Sequence, residues 1–386
     1  MKYRYENFGG IIASDDPPLL AFVDREYMRD CGLKESKRWN KSDSSVGTLS
    51  APTEVHFACT DRCTAGCPHC YMDSGDDAAA DADMPLKEFC HALDSLANMG
   101  VFHVALGGGE ALERDDLSQI IEYARGIGLV PNLTTNGIHV NPDTAGFLKR
   151  CGQVNLSLDG IGPVSAVFRG TPNFTAADRA ADTLLEMNIP TGINCVLGRE
   201  NYSDIEDLFA YAARKGFNEI EFLRIKPSGR GRNAYTAMKT TDAQNRDLYP
   251  MLERFSRQYG IPAKIDCSFI PMLCWLRPPV SLLQKMCTMG CEAGNMLVGI
   301  SSSGMVSGCS FLPETGLSVF ELKNSWYENA LFREYREWPV NAVEPCASCD
   351  YLDVCKGGCH AVSLYTDHSV NAPDPDCPFV VQHRSG

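Results

Sequence analysis

Between residues 54 and 226, short apolar runs alternate with longer stretches in which apolar residues recur every three to four positions. These are the periods of a buried strand and of an amphipathic helix. The runs at 54–59, 101–106, 130–135, 153–158, 191–196 and 219–226 predict strands. The stretches at 86–99, 117–127, 142–150, 175–187 and 203–215 predict the helices between them, several stopping at a glycine. Repeated strand–helix units build a parallel sheet, and six of them make an incomplete barrel, a partial (β/α)6 arrangement of the α/β class. One more helix is predicted over 243–259. Residues 1–50 form an N-terminal extension holding FGGIIA and the run PPLLAFVDREYMRDCGL, which reads as helical. Residues 51–235 are the barrel core, 236–285 a linking region, and 286–386 a cysteine-rich C-terminal domain. This last region is short of periodic pattern, so its order is expected to come from bound metal.

With 386 residues, 44% of them apolar, the chain can bury a large core. No run approaches the length of a membrane span, and the opening MKYRYENFGG lacks a basic-then-apolar export signal, so the chain reads as a cytosolic protein. A formal charge of −14 argues against nucleic acid as a partner, because phosphate binding needs an excess of Lys and Arg. The acidic stretch 73–83 reads as a solvated loop.

Eighteen cysteines in a chain without an export signal point to metal ligation rather than disulfides. Eleven of them form two groups. The first is Cys63-x3-Cys67-x2-Cys70 in the run CTAGCPHC, directly after the first predicted strand. A [4Fe–4S] cube normally takes four cysteines, so three thiolates from one loop leave one iron open for chemistry. The second group is Cys287, Cys291, Cys309, Cys346-x2-Cys349-x5-Cys355-x3-Cys359 and Cys377, eight thiols that suffice for two further cubes. A structural zinc module and a multi-cluster electron-transfer protein are the rival readings, since CxxC pairs also suit tetrahedral zinc. The other seven, Cys31, Cys59, Cys90, Cys151, Cys195, Cys267 and Cys274, are expected to be small buried residues. Cys274 is the best exception, as it lies shortly before Cys287. In a β/α barrel the reactive groups follow the C-terminal ends of the strands. Gly108-Gly109-Glu110, Asn136-Gly137 and Asp159-Gly160 stand there beside the cysteine loop. Asp159 also reads as an ordinary turn residue. His69 is expected to pack rather than ligate. Arg224 and Lys226 alternate along the sixth strand and so face inward, toward substrate or an ion pair. Glu314 and Asp350 are candidate acids or bases, and no catalytic base is assigned.

The CTAGCPHC run followed by Tyr71, together with GGGE at 107–110, resembles the radical S-adenosylmethionine (SAM) superfamily over about residues 54–226. The resemblance implies that SAM chelates the open iron and is cleaved reductively to a 5′-deoxyadenosyl radical that abstracts a substrate hydrogen. It also implies an external electron donor. By the same resemblance Gly108, Gly109 and Glu110 line the methionine amino group. Ser157, Asp159 and Arg169 serve the carboxylate or ribose, and Val196 and Tyr71 border the adenine. The C-terminal spacing Cys291-x12-Gly304-x4-Cys309, with the cysteines that follow, resembles the SPASM extension of peptide-modifying members. That implies Cys291, Cys309 and Cys359 on a first auxiliary cube, with Cys287 as a fourth ligand, and Cys346, Cys349, Cys355 and Cys377 on a second. Three [4Fe–4S] clusters and SAM are therefore the implied cofactors.

FGGIIA, LSAPTEVHFACT and CYM look most like maturases of Nif11-type precursor peptides, some of which excise tyramine and leave an α-keto-β-amino acid. The main rival, the anaerobic sulfatase maturases, carries an Asp where this chain has Ser310. Quinohemoprotein-type and thioether-forming enzymes share the clusters. The implied partner is a ribosomally made precursor peptide. About fifty residues ahead of the barrel do not hold a winged-helix recognition domain, so a separate leader-recognition protein is expected.

Overall fold

The computed structural model describes residues 2–15, 18–40, 46–77 and 83–386; residues 78–82 of the acidic stretch lie outside the described residues. The N-terminal extension is a three-stranded antiparallel sheet of β1 (Lys2–Tyr5), β2 (Gly9–Asp15) and β3 (Pro18–Asp24), followed by the short helix α1 (Arg25–Asp30). The helical reading of residues 17–33 is thereby corrected. The apolar run LLAFV pairs residue by residue with β2 and stacks Phe22 on Phe8, so only the charged segment after it is helical.

All six predicted barrel strands are present: β4 (Glu54–Thr60), β5 (His103–Gly108), β6 (Val130–Thr135), β7 (Val154–Ser157), β8 (Thr191–Leu197) and β9 (Ile220–Arg224). They are parallel and neighbours in chain order. Between them run α2 (Leu86–Met99), α3 (Leu117–Gly126), α4 (Pro142–Leu148), α5 (Pro163–Arg169), α6 (Thr171–Glu186) and α7 (Ile205–Lys215), with α8 (Gly231–Met238) and α9 (Asp242–Tyr259) after β9. The short α5 has no counterpart in the sequence reading. Helix α2 shows why the periodicity was legible. Phe89, Ala92, Leu93 and Leu96 share its buried face, and Phe89 stacks on Phe57 of β4 with ring centres 4.1 Å apart. At α9 the Thr241 hydroxyl accepts from Gln244 N while the Gln244 side chain accepts from Thr241 N, a reciprocal cap.

The sheet does not stop at six strands. β10 (Ala263–Ile265) adds in parallel to β9, and β11 (Leu297–Ile300) adds in parallel to β4 and continues into the antiparallel β12 (Met305–Ser307) and β13 (Glu314–Ser318). The cysteine-rich region is thus continuous with the barrel sheet. β10 and β13 are its two outer strands, so the sheet stays open. Among the described residues no helix is long and apolar enough to cross a membrane.

Candidate active site and metal centres

The loops after β4 and β5 cross at the strand ends. Gly109 N donates to the Thr60 carbonyl and Glu110 N to the Arg62 carbonyl, both at 2.8 Å. A Cβ at Gly109 would stand 2.0 Å from the Arg62 carbonyl oxygen, so only glycine lets the cysteine-bearing loop lie directly on this turn. The Glu110 carboxylate is 1% exposed and reaches across to β6, accepting from Thr135 Oγ1 and Asn136 N at 2.7 Å each. Burial pushes its pKa up, against the pull of those bonds.

The cysteine loop is held by its backbone. Cys63 N donates to the Gly75 carbonyl (3.0 Å), Cys70 N to the Cys67 carbonyl (3.2 Å), and Arg230 Nε to that same Cys67 carbonyl (3.1 Å). Cys67 lies close enough to Cys63 to act on it electrostatically and close enough to Cys70 to feel it, and burial raises the Cys63 thiol to about 11. Iron ligation must overcome that protonation, which ties cluster assembly to proton release. His69 packs, as expected. It sits edge-on to Phe168 with its Nε2 3.5 Å from Asp159 Oδ2, and burial lowers its pKa to about 4, so the ring is neutral.

Asp159 is fully buried rather than a solvated turn residue. It accepts from Val196 N at 2.7 Å, pairs with Arg169 Nε at 2.5 Å, and its carbonyl accepts from Asn201 Nδ2 at 2.6 Å. One side chain therefore ties the end of β7 to β8 and α5. Ser157 ends β7 opposite Asn194 of β8. The buried Asn194 Oδ1 and Asn136 Nδ2 are hydrogen-bonding atoms with no protein partner. Sequence reasoning missed Asn194; its even position between the inward Gly192 and Val196 is the signal that points to it. Tyr71 turns toward the C-terminal region, its ring edge-on to Phe311 with centroids 4.9 Å apart.

Cys346, Cys349, Cys355 and Cys377 line one pocket with Pro271, Leu352, Phe379 and Val380, so thiols from a 32-residue span are gathered on one apolar wall. Cys274 lines it too, beside the Cys355 thiol. Cys291, Cys309 and Cys359 form a second group of mutually interacting thiols; burial pushes Cys309 up to about 12. Cys287 is exposed, on a turn with φ of 51°. Among the described residues no three His, Cys, Asp or Glu side chains converge on a point that would hold a single ion. A cube takes one thiolate at each iron, so its ligands stand apart. Of the seven cysteines expected to be buried, Cys59, Cys151, Cys195 and Cys274 are, but Cys90 is half-buried and Cys31 and Cys267 are exposed. Cys31 sits in a turn after α1, and Cys267 opens a single 3-10 turn, Cys267–Phe269, whose buried residues are Ser268 and Phe269.

Arg224 and Lys226 are buried and ion-paired. Arg224 donates to Asp374 at 2.6 and 2.9 Å and to Asp376 at 2.8 Å, and Lys226 donates to Asp266 at 2.8 Å. Asp374 Oδ2 also accepts from Cys359 N at 2.9 Å. Lys226 favours the thiolate form at both Cys309 and Cys359. Ser310 contacts His56 Nδ1 at 3.2 Å, whose Nε2 is 3.0 Å from Glu54. Glu314 and Asp350 are both exposed.

The model of the radical SAM superfamily matches residues 57–212. Mycofactocin maturase MftC of Mycolicibacterium smegmatis is 32% identical over 339 residues, covering 85% of this chain and 83% of that protein. The chain belongs to the radical SAM superfamily. PqqA peptide cyclase of Ruegeria pomeroyi is 28% identical over 347 residues, covering 87% of this chain and 90% of the cyclase. Among solved structures, Streptococcus suis SuiB bound to its precursor peptide SuiA has the same fold, with a TM-score of 0.76 at 19% identity over 97% of this chain and 98% of SuiB. A radical SAM enzyme carries a [4Fe–4S] cube and binds SAM. The residues present fit both, with three neighbouring thiols on one loop and two buried hydrogen-bonding atoms, Asn136 Nδ2 and Asn194 Oδ1, left for a polar ligand.

Proposed function

We propose that this radical SAM enzyme is a peptide maturase with three cubes, acting on a ribosomally made precursor. The observation that carries the reading is the crossing of the Cys63–Cys70 loop over the Gly108–Glu110 turn, in a chain aligned with a mycofactocin maturase over most of both lengths. Cys63, Cys67 and Cys70 hold the first cube. Cys291, Cys309 and Cys359 hold the first auxiliary cube, and Cys346, Cys349, Cys355 and Cys377 the second, in the SPASM manner. When bound, the first cube and SAM supply a hydrogen-abstracting radical, and the protein's part is to position the reacting groups and exclude water.

The chain's residues do that positioning. The backbone of Gly108, Gly109 and Glu110 faces the methionine amino group, while the Glu110 carboxylate stays committed to β6. Ser157 and Arg169 serve the carboxylate or ribose, Asp159 orients Arg169, and Val196 and Tyr71 border the adenine. The resemblance of FGGIIA, LSAPTEVHFACT and CYM to Nif11-type maturases favours excision of tyramine from the precursor, and similarity to the PqqA cyclase favours ring closure by a crosslink. A separate protein presents the leader, and an external donor supplies the electron.

The test is an anaerobic preparation. About twelve irons per chain, three cubes of four, together with 5′-deoxyadenosine release under reductant, support the reading. Colourless protein with zinc, or iron without SAM cleavage, refutes it. Co-expression with a short precursor encoded nearby then decides the reaction by mass. Loss of one tyramine indicates excision, and loss of two hydrogens indicates a crosslink. Tight binding of the leader by the isolated chain would remove the need for a helper.

A further inference from the structure

The fourth thiolate of the first auxiliary cube has two sources on this chain, and sequence spacing favours Cys287. The structure places that residue on an exposed turn after the helix Val280–Lys285, its backbone N donating to the Gln284 carbonyl at 3.1 Å and its neighbour Met286 69% exposed. Cys267 stands elsewhere, as the first residue of the 3-10 turn Cys267–Phe269 that follows β10, between Asp266 and Ser268.

Both neighbours of Cys267 are pinned to the auxiliary site. Arg224 Nη1 donates to the Ser268 carbonyl at 3.1 Å and to Asp374 Oδ2 at 2.6 Å, and that same oxygen accepts from Cys359 N at 2.9 Å. Ser268 and Cys359 are thus bridged by one guanidinium and one carboxylate. On the other side, Lys226 Nζ donates to Asp266 at 2.8 Å and to Ser268 Oγ at 2.7 Å, and stands 5.1 Å over the ring of Phe311, two residues beyond Cys309. The backbone around Cys267 is therefore held between the turn that carries Cys309 and the one that carries Cys359.

Cys267 itself is exposed, at the edge of this neighbourhood. Cys291, Cys359 and Lys226 stand near enough to Cys267 to interact with it electrostatically, and Cys267 stands as near to Cys309. Four thiols from three separate parts of the chain share one neighbourhood, with two buried cations, Arg224 and Lys226, to offset their charge when they ligate.

We infer that Cys267, rather than Cys287, supplies the fourth thiolate of the first auxiliary [4Fe–4S] cube, beside Cys291, Cys309 and Cys359. The inference rests on the cluster reading above.

It is tested on the full chain with Cys63, Cys67 and Cys70 all replaced by Ala, so that only auxiliary iron remains. That background should hold about eight irons, two cubes of four. In the reduced protein at low temperature, Cys267→Ala should remove or displace one of two paramagnetic signals and leave the other. Cys267→Ser should keep the iron and displace the same signal, because an alkoxide replaces a thiolate. Cys287→Ala should superimpose on the background in iron and spectrum. A Cys267→Ser spectrum identical to the background overturns the assignment whatever the alanine variants do, which covers an alanine variant that fails to fold. A signal displaced by Cys287→Ala and not by Cys267→Ala hands the ligand to Cys287. A background without auxiliary iron is a different failure, that of the cluster reading itself.

Discussion

Replacing Arg224 with Met should release the C-terminal tail. The guanidinium is 5% exposed and neutralises two carboxylates, Asp374 and Asp376, with hydrogen bonds of 2.6, 2.9 and 2.8 Å. Asp376 keeps a second cation in Lys239, but Asp374 is 0% exposed and would be left a buried, unpaired charge. Removing one partner of a buried pair costs about 3–5 kcal/mol. Met fills much of the Arg volume, so the electrostatic part dominates. The tail carries Cys377, so opening exposes the pocket of Cys346, Cys349, Cys355 and Cys377. Where opening and closing are fast, proteolysis reports the open population. The measurement is therefore the rate of C-terminal cleavage, with the rate of iron loss to a chelator beside it. Cleavage should accelerate roughly a hundred- to several-thousand-fold, the rate equivalent of that energy. Adding Asp374→Asn to the Met variant should recover most of the loss, because the neutral amide leaves no unpaired charge while its oxygen still accepts from Cys359 N. Rates within about threefold of the parent, or a double variant no better than the single, would refute the clamp.

Gly109→Ala should lower iron at the first site and abolish SAM cleavage, since its Cβ meets the Arg62 carbonyl at 2.0 Å; iron content of an anaerobic preparation checks this. Cys377→Ala should lower iron by about four atoms per chain, whereas Cys31→Ala, at an exposed turn, should leave it unchanged. Thr135→Val removes the 2.7 Å bond to the buried Glu110 carboxylate and should cost about 1.5–3 kcal/mol, read from the denaturation midpoint. Glu221 gives a pH signature. Burial, with Asp266 nearby, raises its carboxyl to about 7. A raised carboxyl costs stability as pH rises from the ordinary value toward the raised one, so Glu221→Gln should match the parent near pH 4 and gain on it up to about pH 7. The gain then stays level, at roughly 1–3 kcal/mol after allowing for partial exposure. A midpoint difference that does not change between those pH values would exclude this origin.

The parts of the fold that the sequence disclosed are those whose order is set locally. Helix α2 was legible to the residue because its apolar positions repeat within fourteen residues. β10 and β11 are three and four residues long, too short for a period to register, and become strands because β9 and β4 offer them open edges. LLAFV reads equally as helix or strand in isolation; what decides it is β2, which no periodicity within the run can reveal. The site divides the same way. Ligands spaced by two, three or five residues announce themselves, but Cys267 lies far in sequence from every thiol it neighbours. Alternation along β9 turned Arg224 inward, yet its partner Asp374 stands 150 residues away.

Gly299 is where the two cysteine regions are joined. β11 lies against β4 with Gly299 level with His56, and a Cβ on Gly299 would stand 2.8 Å from Ser310 N and 2.9 Å from the Cys309 carbonyl carbon. The missing side chain lets the Cys309 turn lie flat on the barrel strand, which brings Ser310 to His56 and Phe311 to Tyr71. Tyr71 directly follows Cys70, so the loop of the first thiol group and the turn of the second are packed ring against ring, with Lys226 above Phe311. β4 thereby fixes both. It leads straight into the loop of Cys63, and through β11 it sets the position of Cys309. A shift in β4 register would flip its inward set, Glu54 and His56, and displace both thiol groups at once. Rigid parallel strands, rather than loops alone, hold the relative positions that a radical reaction requires.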